Sequence, residues 1–361
     1  MFAPLSIPSP PYAWQVFNLG QWLRDIGLAW FSWNVNIHAY ALCILAGIIV
    51  ATLFTARRLK QRGAEPWVVL DIALWAVPIG FIGARIFHVL THPDDYFGPG
   101  KDLFKTLYIW EGGIAIFGGL IGGAVGAYIG CRLAGVRFWS FADALAPSLL
   151  LAQAFGRLGN YFNHELYGLP TNLPWGLQIE STNPAFPAGL AAGTLFQPTF
   201  LYEIIWNLIG VGVILLLERR WRLGRGRILG TNVPILVAGA YRLQWGKVLG
   251  LYLIWYGLGR SYLESIRIDP SEIFWGIRTN VWAAFAAIAV GLVIIIAQTR
   301  RHPGLEPDPY LPGRQWRPET VVDSDDYYSD TDDLEAVSSN TSVKSEPTKS
   351  SRSATSAAGK S

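Results

Sequence analysis

The chain has 361 residues, 51% of them hydrophobic and 15% charged, with a formal net charge of +3. So little charge over so long a chain argues against a soluble globular protein, and 16 tryptophans favour a place at a membrane–water interface. Cys43 and Cys131 fall within or at the end of apolar runs. Neither a disulfide framework nor a clustered metal site is indicated, and two small buried side chains are expected.

The first residues, Met1-Phe2-Ala3-Pro4, lack a basic stretch and lead into an early proline cluster, so no cleaved signal peptide is expected. Residues 13–33 place Trp14, Val16, Phe17, Leu19, Trp22, Leu23, Ile26 and Trp30 on one side and Arg24 and Asp25 on another, which predicts an interfacial helix. Crossing a bilayer takes about 20 apolar residues. Runs of that order follow at 37–56, 67–90, 113–134, 140–156, 199–217, 247–264 and 280–298, the fourth short enough to cross only partly. The third carries Gly118, Gly122, Gly126 and Gly130 at every fourth position, a bare ridge for close helix packing. Residues 228–245, interrupted by Pro234 and Arg242, read as a cytoplasmic or interfacial insertion.

Seven crossings put four basic groups on one side: Arg57 to Arg62, Arg132 and Arg137, Arg219 to Arg227, and Arg300 with Arg301. That side is cytoplasmic by the excess of positive charge, so the N-terminus is outside and the C-terminus inside. From about His302 the composition turns to Pro, Asp, Ser and Thr, with an acidic block over 323–333, and predicts disorder. The expected fold is therefore an all-α integral membrane protein of about seven transmembrane helices, with an interfacial segment over 1–36 and a membrane domain over 37–298. A small extracytoplasmic head spans 160–198, and a disordered tail spans 299–361. No internal repeat is evident, which weighs against a secondary transporter.

Three polar clusters converge on the outer leaflet in this topology. Directly after the apolar run Ala144 to Phe155 stand Arg157, Asn160, Asn163, His164 and Glu165. Arg260, Glu264 and Arg267 share one helix face at the end of the sixth span. His38, Tyr40, Arg85 and His88 lie at the outer ends of the first and second. Ionisable side chains at that depth usually serve a substrate or a partner, and guanidinium groups suit a phospholipid phosphate. Plainer readings also fit. Arg157 fits a side chain snorkelling to the interface, Arg260 with Glu264 a structural ion pair, and Asn160 and Asn163 helix caps or bridges. His38 and His88 equally fit isolated interface histidines. No Gly-x-Ser-x-Gly elbow, His-Glu-x-x-His pair or Walker loop is present.

The segment Gly156-Arg157-Leu158-Gly159-Asn160-Tyr161-Phe162-Asn163-His164-Glu165-Leu166-Tyr167-Gly168 closely resembles the signature of bacterial prolipoprotein diacylglyceryl transferases. Three further stretches resemble the family in order: Trp110-Glu111-Gly112-Gly113 with Gly118-Gly119, Gln197 to Glu203, and Gly259-Arg260 through Glu264 to Arg267. The resemblance covers roughly residues 35–298. It implies transfer of a diacylglyceryl group from phosphatidylglycerol to the lipobox cysteine of a preprolipoprotein signal peptide, at the bacterial cytoplasmic membrane. It assigns phosphatidylglycerol binding to Arg157, with Asn160, Asn163, Glu165 and Arg260, and essential catalytic roles to Arg157, Arg260, Glu264 and Tyr40. His38, Arg85, Arg267 and Glu203 are further candidates. Membrane lipids are the other expected partners; no cofactor, metal or nucleic acid is implied. Many family members carry a histidine, proposed as the base, where this chain has Phe117. Activation of the thiol by another group, or by arginine charge alone, is then expected.

Overall fold

The computed structural model describes residues 5–316 apart from 29, 31, 99, 110, 111, 229 and 230, and leaves aside the side chains of 222–238. The helices are α1 (Leu19–Asp25), α2 (Ala39–Gln61), α3 (Val68–Thr91), α4 (Pro93–Tyr96), α5 (Ile116–Leu133), α6 (Phe138–Phe162), α7 (Thr199–Glu218), α8 (Lys247–Ile266) and α9 (Thr279–Arg301). Among the described residues, α2, α3, α5, α7 and α9 are long and apolar enough to cross a membrane. With α6 and α8, of 25 and 20 residues, they match the expected apolar runs in order.

The glycine ridge is the seam between α3 and α5. A β-carbon at Gly122 would stand 2.5 Å from the Ile79 carbonyl, one at Gly126 2.5 Å from that of Trp75, and one at Gly130 2.9 Å from Ile72 Cα. Only glycine lets the two backbones approach this closely. Cys131 is buried on the same helix, Cys43 is half-buried on α2, and both are free.

Four expectations change. Residues 13–33 do not form one helix. A 3-10 turn (Tyr12–Trp14) leads into β1 (Val16–Asn18), which pairs antiparallel with β2 (Asn36–His38), and α1 fills only part of the loop between them. Asn18 starts α1 by accepting from Gln21 N, and Gly27, at φ 103°, follows its end. The fourth run is not short, because α6 continues through the polar signature to Phe162. The hydrogen-bonded backbone does not stop where hydropathy does. The expected insertion and the arginines before it form one hairpin, β5 (Arg219–Ile228) with β6 (Thr231–Tyr241). Two short hairpins complete the strands: β3 (Leu177–Gln178) with β4 (Leu195–Phe196), and β7 (Ile273–Phe274) with β8 (Ile277–Arg278).

The fourth change concerns the tail, which does not leave the bundle at 299. Tyr310 is buried against Leu59, Val68 and Phe141, and its hydroxyl accepts from Glu65 N at 2.9 Å. Arg137 Nε donates to the carbonyls of Asp308 and Tyr310 at 3.0 and 2.8 Å. Trp245 stacks on His302 and donates to Gly304 O. Residues 317–361, with the acidic block, lie outside the described residues.

Next to this strap, the basic end of the bundle holds a buried ionic network. Arg58 pairs with Glu218 at 2.6 Å, and Arg62 lies 3.6 Å from Glu218 and 3.9 Å from Asp143. Asp143 accepts from the backbone N–H groups of Gly246, Val248 and Leu249, capping the start of α8 from another helix. Charges read in the sequence as loop markers and span boundaries are thus bundle-locking contacts among α2, α6, α7 and α8.

Candidate active site

The end of α6, the starts of α2 and α7, and the turn joining α8 to α9 lie at the opposite end of the helices. α6 stops at Asn163, and His164 then takes a left-handed φ of 51°. This turn brings Glu165 back to the helix end, where its N–H donates to the Asn160 carbonyl at 3.3 Å. Its Oε1 accepts from the amides of Asn160 and Asn163 at 2.9 and 3.1 Å. Arg157, one turn earlier on the Asn160 face, donates from Nη1 to Asn160 Oδ1 at 3.1 Å. Its Nε pairs with Glu203 in the first turn of α7.

On α8, Arg260 and Glu264 are one turn apart and pair at 2.7 Å. Glu264 is fully buried. It also faces Arg278 at 3.1 Å and Arg267 at 3.8 Å, and accepts from the Asn280 amide at 2.9 Å. Arg267 in turn grips Asp269 with two hydrogen bonds, of 2.7 and 2.9 Å.

Two links join these groups. Gly168 and Arg267 form an antiparallel backbone bridge, and Leu169 N donates to Ile266 O at 2.8 Å, tying the end of the signature to the end of α8. Glu203 adds the second link: it pairs with Arg157 from the first turn of α7, a helix that packs on both α6 and α8. Tyr40, in the first turn of α2, packs on Gly159. Arg157, Asn160, Asn163, Glu165, Glu203, Arg260, Glu264, Arg267 and Tyr40 therefore belong to one neighbourhood.

Arg85 and the histidines do not join it through any described contact. Arg85 donates to the carbonyls of Lys105, Thr106, Gly112 and Gly113 and lies over the Tyr96 ring, so it holds the loop between α3 and α5. His88 stacks on His92. His38 is exposed in β2 at the start of α2. His164 lies within the signature, but its Nδ1 is 3.1 Å from Glu180 and its ring faces Tyr12. The Phe117 ring packs near Phe87. Trp110 and Glu111 lie outside the described residues.

Asp269, Arg278 and Asn280 escaped sequence reasoning. They look like loop charges and a helix start; Arg278 and Asn280 have partners 9 to 16 residues away, and Asp269 is gripped by Arg267 as well as by Arg278. The available signal was a third arginine and an extra carboxylate flanking the last span, close to a helix end already rich in arginine.

The arrangement suits an anion held at the edge of an apolar bundle. Among the described residues, none hydrogen-bonds Nη2 of Arg157, and none hydrogen-bonds Nε or Nη1 of Arg260. Both side chains are partly open, 25% and 13% exposed. Each is a forked cation with a spare donor, braced by a carboxylate, and such a group can take phosphate oxygens without rearranging its support.

Helices this long and apolar, with arginines and carboxylates gathered at one end, define a membrane protein. A sequence model of the prolipoprotein diacylglyceryl transferase family matches residues 28–297, and the chain belongs to that family. It is 59% identical, over 88% of its length and 89% of the relative's, to the phosphatidylglycerol–prolipoprotein diacylglyceryl transferase of Leifsonia xyli subsp. xyli. Proteins of the same name from Frankia alni and Paenarthrobacter aurescens are 44% and 45% identical. Those matches cover 74% and 72% of this chain, and 64% and 79% of the relatives. Family and apolar helices together make it a multi-pass membrane enzyme.

Proposed function

We propose that the protein transfers the diacylglyceryl group of phosphatidylglycerol to the lipobox cysteine thiol of preprolipoproteins. The cysteine sulfur attacks the glyceryl carbon that carries the phosphate ester. A C–S bond forms, the C–O bond to phosphate breaks, the thiol gives up its proton, and glycerol phosphate departs. Arg157 and Arg260 clamp the phosphate and stabilise its charge as it leaves. Glu203 and Glu264 orient the two arginines, and Asn160, Asn163 and Glu165 shape the headgroup site. Arg267 supports the end of α8 through Asp269, and Tyr40 closes the site against Gly159. All seven long helices cross the cytoplasmic membrane, with the N-terminus and the head at the outer face and the strap and C-terminus in the cytoplasm.

The observation that supports this reading is the backbone bridge of Gly168 with Arg267, which ties the signature that bears Arg157 to the end of the helix that bears Arg260. The test is to incubate the purified protein with phosphatidylglycerol and a lipobox peptide and to weigh the peptide by mass spectrometry. Addition of one diacylglyceryl group is expected. Lipid or anion flux across proteoliposomes with an unmodified peptide would instead establish a transporter using the same arginines. Lipid binding with neither result would leave a non-catalytic lipid-binding protein.

A further inference from the structure

Arg278 stands at the start of α9 and reaches back over the end of α8. Its Nη1 donates to the carbonyls of Glu264 and Arg267 at 3.1 and 2.8 Å, and its Nη2 to that of Asp269 at 2.6 Å. These bonds satisfy carbonyls that a helix end leaves open. Nε is turned the other way, 3.1 Å from Glu264 Oε1.

The carboxylate it meets has no contact with solvent, so protein groups must balance its charge. Three arginines share that task unequally. Arg267 is committed to Asp269 and lies 3.8 Å away. Arg278 is fixed by three carbonyls. Arg260 has the shortest contact to Glu264, and its Nε and Nη1 have no described hydrogen-bond partner; the nitrogens of the other two that also lack a hydrogen bond, Arg267 Nη1 and Arg278 Nε, both face Glu264. The more of the carboxylate's charge Arg278 and Asn280 absorb, the more cationic Arg260 remains toward a ligand.

We infer that Arg278 is a positioning residue for headgroup binding: through Glu264 it keeps Arg260 available to a lipid phosphate. This rests on the phosphate clamp proposed above. Without the Arg278 charge, Glu264 is left to Arg260 and the distant Arg267. Arg260 is then drawn to Glu264, and the potential at the phosphate becomes less positive. A purely mechanical cap would act differently, since loss of three carbonyl bonds would loosen the helix end whatever the charge of its replacement.

Two variants of the full chain in detergent micelles separate these roles, Arg278→Gln and Arg278→Lys. The readouts are the Kd for short-chain phosphatidylglycerol, KM and kcat with a lipobox peptide, and the melting temperature. Arg278→Gln should raise Kd and KM about tenfold, as expected for one weakened charge-assisted contact, with kcat within about twofold and little change in melting. Arg278→Lys, which keeps the charge but not the fork, should recover most of that affinity. Unchanged lipid affinity in Arg278→Gln overturns the inference. So does Arg278→Lys failing as badly as Arg278→Gln with the same fall in melting temperature, which would make Arg278 a cap only. Failure of the wild-type chain to bind phosphatidylglycerol strikes the phosphate clamp itself, and is distinct from binding that ignores residue 278.

Discussion

Tyr40 packs directly on the backbone of Gly159: a β-carbon at that glycine would stand 2.6 Å from Tyr40 Cδ2 and 3.4 Å from its Cα. Gly159 lies between Arg157 and Asn160, so this contact fixes α2 against the working face of α6. Gly159→Ala should push the ring or the helix away. Overpacking of this kind costs about 1–3 kcal/mol, and turnover should fall at least about tenfold if the barrier rises by a similar amount. Tyr40→Phe keeps the packing and removes only the hydroxyl. Normal melting with lost turnover in Tyr40→Phe would assign the hydroxyl to the chemistry, whereas normal turnover would leave Tyr40 as packing.

Arg157 is held from two sides, by Glu203 at Nε and by Asn160 at Nη1. A lysine carries the charge but cannot satisfy both supports and still present a donor to phosphate. Arg157→Lys should therefore insert and melt normally while losing most of its turnover. Near-normal turnover would rule out the forked contact. Glu203→Gln should weaken lipid binding less, because the guanidinium remains, held in a looser position.

The positions of the long helices and the polar signature with Arg157 were legible in the sequence, because apolar run length and intramembrane charge are local signals. The glycine ridge was legible too, since four glycines four apart define one face wherever the partner lies. What the sequence hid was pairing at a distance. Arg58 and Glu218 sit 160 residues apart, at the polar ends of two different apolar runs. Arg278 stands at a helix start, and its partners on the end of α8 lie up to 14 residues earlier. The hairpin of β5 and β6 was hidden because its glycine- and arginine-rich strand resembles a basic loop. The strap was hidden for a related reason: its composition is that of a disordered tail, yet Tyr310 docks in the core and Arg137, Ser140 and Trp245 hold the residues before it.

The strap gives a pH prediction. Glu306 accepts from the Ser140 hydroxyl in a largely buried setting, and Arg62, Arg137 and Asp143 act on its charge. Burial raises its carboxyl above the usual range, partly countered by Ser140 and the two arginines. A carboxyl raised in the folded state holds its proton more tightly there than in the unfolded chain. Its favourable contribution is present below the unfolded value and is lost as pH rises through the folded one. Melting temperature should thus decline as pH climbs from about 4.5 toward neutrality, and Glu306→Gln should flatten that decline. A chain ending at Trp316 should melt like the full chain, and one ending at Arg301 should melt lower. Equal melting of the two shortened chains would show that the strap adds no stability.

The last prediction concerns the thiol's proton. The chain has five histidines, and no described contact brings any of them to Arg157 or Arg260. His302 stacks on Trp245 at the other end of the bundle. His88, in the last turn of α3, and His92, just after it, stack on each other. His164 is buried and turned to Glu180. His38 is exposed near Tyr40 but points to no described partner. Phe117 stands where the family resemblance places a histidine. General-base help is worth roughly 10²–10⁴ in rate, so activation without histidine needs another source. Neighbouring cations can supply it by depressing a thiol pKa, and two arginines with spare donors are at hand. His38→Gln, His88→Gln and His92→Gln should each keep turnover within about tenfold, with an unshifted pH profile. His164→Gln should lower the melting temperature through its lost contact with Glu180, while turnover of the folded fraction holds. A loss of about a hundredfold or more in any one of the four, with lipid affinity intact, would identify that histidine as the base and end the charge-only account.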